Sequence, residues 1–165
     1  MIQFTTKRTS LKKIISGGQT GADRAALDAA LACHFELGGY CPKGRTAEDG
    51  VIEPKYLLTE IDGGTAERTL KNVLASDLTV LFYKSLLSGG TKQTLTFCTE
   101  NKKPYQLIDS ATTDPNEATH LLAEAIDLLG VKVLNVAGPR LSECPDIYLF
   151  VHSVILKLLQ APCGK

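Results

Sequence analysis

Residues 78–83, LTVLFY, form a nearly unbroken apolar run, and this run constrains the fold more than any other segment. Such a run is typical of a central strand that is buried on both faces, as the strands of parallel sheets are. Weaker apolar segments predict four further strands, at 13–16, 35–40, 105–108 and 131–136. Segments with helical periodicity lie between and after the strands. They predict helices at 22–33, 65–76, 91–102, 114–129 and 147–158.

Strands that alternate with helices predict an α/β fold, with a parallel sheet of about five or more strands and helices on both faces. The chain has 165 residues, of which 44% are apolar, and this fits one domain over 1–165 with a loose tail at 161–165. The segment 41–64 shows no clear periodicity. We predict that it is a functional loop, because long irregular segments in compact domains are often functional.

The charge balance excludes several classes of partner. Lysine and arginine together number 18, as do aspartate and glutamate, so the formal net charge is zero. A neutral chain lacks the basic field that binding to nucleic acid or to an anionic membrane surface requires. The five cysteines form no CxxC pair and the three histidines stand far apart. We therefore predict reduced thiols, a cytoplasmic location and no metal held by the protein.

The first predicted strand leads into a glycine-rich turn at the start of a helix. Glycines let the backbone approach a ligand closely, and a helix start presents free amide groups and a positive dipole end. These are the requirements of a phosphate site, although the pattern matches neither a Walker loop nor GxGxxG. The alternative is a plain turn in which Thr20 and Asp23 cap the helix. The candidate ligand contacts are Gly17, Gly18, Gln19, Thr20, Gly21, Ala22 and Asp23.

A second helix start of the same kind follows the strand at 78–83. Ser88, Gly89, Gly90 and Thr91 are candidate phosphate contacts there, and the alternative is an ordinary helix with Thr91 as its cap. Arg140 follows the last predicted strand and is either a phosphate contact or a surface arginine.

Two further segments contribute polar candidates. Lys43, Gly44 and Arg45 lie in the long loop, where the two cations either close over an anionic ligand or form local ion pairs. Arg68 and Asn72 are four residues apart on one helix, so they share a face that either lines the site or is solvated. No arrangement of serine, histidine and aspartate and no paired carboxylates fall at strand ends, so we predict no catalytic residue.

Four segments together resemble the putative molybdenum carrier family, in the same order and over nearly the whole chain. They are ISGGQTGADRAALDAAL at 15–31, GGYCPKGRTAEDG at 38–50, AERT with Asn72 at 66–72, and SGGT with Thr94 at 88–94. The resemblance implies a Rossmann-like fold, binding of the molybdenum cofactor, and molybdoenzymes as recipients of that cofactor. The family's wider group includes phosphoribohydrolases and nucleotide-sensing domains.

The hydrolases in that group resemble a PGGxGTxxE pattern in which the glutamate acts near the ribose. Here the first carboxylate after Gly90 is Glu100, so the chain departs from that pattern where the chemistry occurs, while Arg68 is retained. Three hypotheses stay open: a carrier or store of a small phosphorylated ligand, a nucleotide N-glycosidase, and a nucleotide or ADP-ribose sensor. The apolar last helix predicts a homo-oligomer that contacts its copies through that helix.

Overall fold

The computed structural model describes residues 9–160 and contains a parallel sheet of five strands. The strands of this sheet are β1 (Lys13–Ile15), β2 (Leu37–Gly38), β7 (Leu78–Tyr83), β8 (Tyr105–Asp109) and β9 (Val133–Ala137). The order across the sheet is β2-β1-β9-β7-β8. The predicted α/β fold with a parallel sheet is confirmed. The predicted tail at 161–165 lies outside the described residues.

The strand β7 occupies an inner position between β8 and β9, and its first five residues are buried. Five helices pack around the sheet: α1 (Ala22–Ala32), α2 (Thr65–Leu74), α3 (Gly89–Glu100), α4 (Pro115–Leu129) and α5 (Ile147–Gln160). The helices α1, α5 and α4 contact one another in that order, and α2 contacts α3.

The helix α1 can lie close to its neighbours because its buried stripe consists mainly of alanine. Ala22, Ala25, Ala26, Ala29 and Ala30 have no exposed surface. They belong to the main hydrophobic core, together with residues of β7, β9, α4 and α5. Small side chains allow a short interaxial distance, and the extensive contact between α1 and α5 follows from it.

The apolar residues of α5 are used within this core. Ile147, Val151, Val154 and Ile155 are fully buried, and Leu149 is the large apolar residue of this helix that stays exposed, at 74%. The core of one chain therefore explains the apolar character of α5. It gives no support to the expectation that α5 forms a contact between copies, and the homo-oligomer itself stays a prediction.

The segment 41–64 is more ordered than its sequence predicts. It contributes two small ladders outside the main sheet. The strands β3 (Tyr40–Pro42) and β6 (Thr59–Ile61) pair in parallel, and β4 (Thr46–Ala47) and β5 (Gly50–Val51) form a hairpin. The predicted strand at 35–40 is broken at Gly39, whose φ is +123° and whose missing Cβ leaves room for the carbonyl oxygen of Ser16.

No helix within residues 9–160 is both long and apolar enough to cross a membrane.

Candidate functional site

A cleft of about 360 Å³ opens beyond the carboxyl ends of β1 and β9, beside the first turn of α3. This is the edge of a parallel sheet at which ligands bind, and the volume is in the range of small-molecule sites. Predicted residues that line the cleft are Gly17, Gln19, Asp23, Arg68, Asn72, Gly90, Thr91 and Arg140. The structure thus brings residues from all of the predicted segments except 43–45 to one place.

Most amide groups at the start of α1 already have acceptors within the protein, whereas those of Gly21 and Asp23 have none among the described residues. The Gly18 amide donates to Ser16 Oγ at 3.4 Å and the Gln19 amide to Asp23 Oδ2 at 3.3 Å. The Thr20 amide donates to the side chain of Gln19, and the Ala22 amide to the Pro139 carbonyl at 3.2 Å. The start of α1 therefore offers a phosphate fewer free donors than the sequence predicts.

The predicted capping of α1 by Thr20 and Asp23 is not found. The N-cap is Gly21, and no side chain caps the helix. The Thr20 hydroxyl donates to Glu48 and accepts from the Leu141 amide at 3.1 Å, so it joins three distant segments. Gly21 has a φ of +80°, and a Cβ there would collide with the Pro139 carbonyl. The residues Gly18, Thr20, Gly21 and Ala22 support the cleft without lining it.

Arg68 and Asp23 form an ion pair in the wall of the cleft. Arg68 Nη1 lies 3.2 Å from Asp23 Oδ2, with 12% and 8% of the two side chains exposed. Burial raises the pKa of the Asp23 carboxyl, and the nearby Arg68 charge opposes that shift. Arg68 Nε is buried and has no hydrogen-bond partner among the described residues. The Arg68 guanidinium occupies the space that a Cβ on Gly17 would fill.

The start of α3 is more open than that of α1. Within the described residues, the Gly89, Gly90 and Thr91 amides donate to no acceptor, and the first bond of the helix runs from the Lys92 amide to the Ser88 carbonyl at 3.2 Å. The N-cap is Ser88, whose side chain makes no cap bond, so the predicted cap at Thr91 is not found. A Cβ on Gly90 would meet nothing within 4 Å.

The structure does not bring the predicted basic loop to the cleft. The Arg45 guanidinium donates to four backbone carbonyls between residues 52 and 58, at 2.7 to 3.2 Å, and so organises its own loop. Lys43 is 79% exposed and pairs with Asp62 at 3.4 Å. The Gly44 amide donates to the Glu60 carboxylate at 2.7 Å. Lys43 thus forms a local ion pair, as the alternative interpretation expects, whereas Arg45 is held by backbone carbonyls of its own loop.

Asn72 and Arg140 both line the cleft, but each also has partners in the protein. The Asn72 side chain accepts from the Tyr40 amide at 2.8 Å and donates to the Tyr40 carbonyl at 3.0 Å, so it clamps β3 to α2. Arg140 Nε donates to Glu143 Oε1 at 2.5 Å. The two arginines of the cleft are therefore each paired with a carboxylate.

Sequence reasoning missed three residues that shape this region. Glu143 and Asn135 line the cleft, and Asn135 is a polar residue in an otherwise apolar strand, which was an available signal. Glu48 accepts from the Thr20 hydroxyl and from both the Ser142 amide and hydroxyl. These hydrogen bonds lower the pKa of the Glu48 carboxyl. No local pattern around Glu48 indicates a contact with residues 94 positions away.

Within residues 9–160, no cluster of three or more histidine, cysteine, aspartate or glutamate side chains is arranged to hold a metal ion. Cys33, Cys41, Cys98 and Cys144 are free thiols, and burial raises the pKa of each. A raised thiol pKa disfavours the thiolate, which is the form that attacks substrates or binds metals.

The family follows from a match over most of the chain. Residues 14–159 match the model of the circularly permutated YpsA SLOG family, and the chain belongs to this family. A search of curated proteins gives no match.

Among solved structures, the chain is similar to a putative molybdenum carrier protein from Syntrophus aciditrophicus SB. The two share 40% sequence identity with a TM-score of 0.89, over 93% of this chain and 97% of the other. The resemblance found from the sequence motifs is thereby confirmed.

Proposed function

We propose that this protein binds a small phosphorylated heterocycle in the cleft, and that the ligand is the molybdenum cofactor, carried or stored as cargo. The observation that supports this most is the open start of α3. The amides of Gly89, Gly90 and Thr91 have no acceptor among the described residues, and Gly90 and Thr91 line a cleft of ligand size at the positive end of this twelve-residue helix. The name of the similar solved structure supports the identity of the cargo.

The phosphate lies, in this proposal, against Gly90 and Thr91 and not against the start of α1. The reason is that the amides of Gly18, Gln19, Thr20 and Ala22 are already bonded within the protein. Arg68 and Arg140 are the cations that line the cleft. A charged partner in a partly buried site strengthens a hydrogen bond to phosphate.

The cargo's metal needs no protein ligand in this proposal, because the pterin's own dithiolene holds it. The residues of the cleft fit such a ligand, since they offer hydrogen-bond donors and arginines. Transfer of the cofactor to molybdoenzymes and a cytoplasmic location belong to the same proposal. The free thiols of the described residues are consistent with a reducing compartment.

The placement of the phosphate is tested with inorganic phosphate as the probe, in titrations of Gly90→Asp and Gly90→Asn. Both side chains enter open space, and they differ only in charge. We expect Gly90→Asp to weaken phosphate binding at least tenfold relative to Gly90→Asn. Asn116→Asp adds the same charge to the first turn of α4, away from the cleft, and should leave the affinity unchanged. Equal affinities of the two Gly90 variants would show that the phosphate does not bind at the start of α3.

The identity of the ligand is tested by native mass spectrometry of protein purified from a host that makes the cofactor. An adduct with the isotope pattern of molybdenum or the mass of the pterin is the expected result. A nucleotide adduct would support a phosphorylated heterocycle as the ligand, but it would contradict the molybdenum cofactor as the identity of that ligand. Release of free base from nucleoside monophosphates would replace the carrier by the hydrolase hypothesis.

A further inference from the structure

Asn135 is a buried amide in the wall of the cleft. It lies in the middle of β9, and only 3% of its surface is exposed, although it lines the cleft. Its neighbours Leu134 and Val136 are directed to the opposite face of the sheet and belong to the main hydrophobic core. A buried polar group is costly unless its hydrogen bonds are satisfied, so the partners of both ends of the Asn135 amide need to be identified.

Thr79 on β7 holds one end of the Asn135 amide. The two residues are paired in register between β9 and β7, and Asn135 Nδ2 donates to Thr79 Oγ1 at 3.2 Å. Thr79 has no exposed surface and does not line the cleft. This hydrogen bond therefore lies behind the wall of the cleft, inside the protein.

The direction of the hydroxyl protons decides which end of the amide faces Thr79. Ser76 has one hydroxyl proton, which it donates to the Val73 carbonyl at 2.9 Å. The contact of 3.4 Å between the hydroxyls of Ser76 and Thr79 therefore uses the proton of Thr79. Since its own proton is taken, the Thr79 hydroxyl accepts from Asn135, and the amide must face it with Nδ2.

The other end of the amide, the Asn135 oxygen Oδ1, is left to the cleft. Among the described residues, the buried side-chain atom without a partner is Arg68 Nε, so Oδ1, which accepts no bond from them either, is open to the cleft. The carboxylates of Asp23 and Glu143 line the same cleft but are paired with arginines. Asn135 Oδ1 is thus an uncharged acceptor whose orientation the protein fixes and whose partner it does not supply.

We propose that Asn135 determines specificity in the cleft, where its Oδ1 accepts a hydrogen bond from an N–H group of the ligand's heterocycle. The protein then selects rings that carry an amide or amino N–H and rejects rings whose nitrogens are alkylated. An acceptor that loses water without gaining a donor disfavours the wrong ligand. Thr79 is a positioning residue, because it orients the amide without touching the ligand. This inference rests on the proposed function, since a heterocycle in the cleft brings the N–H group to Asn135.

Lumazine and 1,3-dimethyllumazine are the probes that test this inference. Both contain the same pteridine-2,4-dione ring, and they differ only in that methyl groups replace the two N–H protons of lumazine. The fluorescence of the ring reports binding in a titration. We expect the wild type to bind lumazine about tenfold or more tightly than the dimethyl compound.

The variant Asn135→Leu separates the hydrogen bond from the bulk of the methyl groups. Leucine has nearly the volume of asparagine but no acceptor, so the preference for lumazine should disappear, whereas a preference due to bulk alone would persist. Asn116→Leu makes the same change at an exposed position on α4 and should leave the preference unchanged. Urea denaturation shows whether each variant is folded.

Thr79→Val provides a second test that changes no residue of the cleft wall. Valine keeps the shape of threonine and removes the hydroxyl that orients the Asn135 amide. Because the amide is then free to present Nδ2 to the ligand, the preference for lumazine should fall about threefold or more. A purely structural role of Thr79 would lower the stability and leave the preference unchanged.

The outcomes separate this inference from the proposed function. If the wild type binds both probes equally, or if Asn135→Leu or Thr79→Val keeps the full preference, the role of Asn135 is wrong and the phosphate site at α3 remains. The same holds if phosphate binds and lumazine does not. If neither phosphate nor lumazine binds, the proposed function fails and the inference fails with it.

Discussion

Arg68 Nη1 lies 3.2 Å from Asp23 Oδ2, and this ion pair has its place because residue 17 is a glycine. The guanidinium lies over the Gly17 backbone, in the space that any other side chain would fill. The residues of the pair are 45 positions apart, on α1 and α2. The glycine-rich turn thus makes room for an arginine of the protein.

Gly17→Ala should lower the affinity for phosphate at least tenfold, because the added methyl group displaces the Arg68 guanidinium from the cleft. The φ of Gly17 is not in the left-handed region, so the backbone tolerates alanine. Titration calorimetry measures the affinity. In the double variant with Arg68→Ala, the Gly17 change should have no further effect. Additive losses in the double variant would contradict an action through Arg68.

Gly18→Val should destabilise the whole protein rather than remove a ligand contact selectively. Gly18 has a φ of +77°, and a Cβ would collide with Leu58 and lie 3.0 Å from Ile52 Cδ1. Both residues belong to a hydrophobic cluster apart from the main core, which also contains Leu27, Cys41 and Tyr56. Left-handed strain and overpacking together cost about 2 kcal/mol or more. Urea denaturation measures the loss. Full stability combined with lost phosphate binding would instead restore Gly18 as a direct contact.

The free energy of unfolding should depend on pH through Asp23. Burial raises the pKa of this carboxyl, so the folded state retains its proton at a pH at which the unfolded state has released it. Stability from this group is therefore complete below the ordinary aspartate pKa of about 3.9, and it is lost as the pH rises through the raised value. The loss is about 1.4 kcal/mol per unit by which the pKa is raised.

Urea denaturation of wild type and Asp23→Asn from about pH 4 to about pH 7 measures this dependence. The stability of the wild type relative to the variant should fall as the pH rises. If the free energies of unfolding of wild type and variant depend on pH in the same way, the Arg68 charge offsets the effect of burial on the Asp23 pKa completely.

Glu143→Gln should raise the affinity for phosphate about three- to tenfold, since it removes a negative charge from the wall of the cleft and releases Arg140 from its carboxylate partner. The gain should diminish at high salt, because 37% of the Glu143 side chain is exposed. Glu124→Gln, on the exposed side of α4, is the control and should have no effect. A loss of affinity would show that Glu143 orients Arg140 for the ligand.

Local sequence signals were sufficient to predict those helices and strands whose bounds depend on a few neighbouring residues. The predicted strand 78–83 coincides with β7, because a short apolar run with β-branched and aromatic residues favours a strand that is buried on both faces. The helix α4 begins with Asp114 as its cap, where the Asp114 side chain accepts from the Glu117 amide at 3.0 Å, and it ends at Gly130 with a φ of +62°. Each of these contacts is made within one helical turn.

The position of the cleft was also predictable in outline, since a parallel sheet brings the residues after β1, β7 and β9 to one edge. The role of each residue at that edge was not predictable from the sequence. Thr20, Arg45 and Asn72 each look like ligand contacts in the sequence, yet each bonds to protein groups that lie 7 to 121 positions away.

The sequence by itself determined the α/β fold, the family and the two glycine-rich helix starts, because periodicity, capping and motif order are properties of short segments. Only the tertiary structure decided which of the two helix starts is the more open one. The Pro139 carbonyl and the side chains of Ser16, Gln19 and Asp23 accept from four amides at the start of α1, and nothing in the described structure accepts from the first three amides of α3. Hydrogen-bond donors that look equivalent in the chain become different because distant acceptors reach one set and not the other.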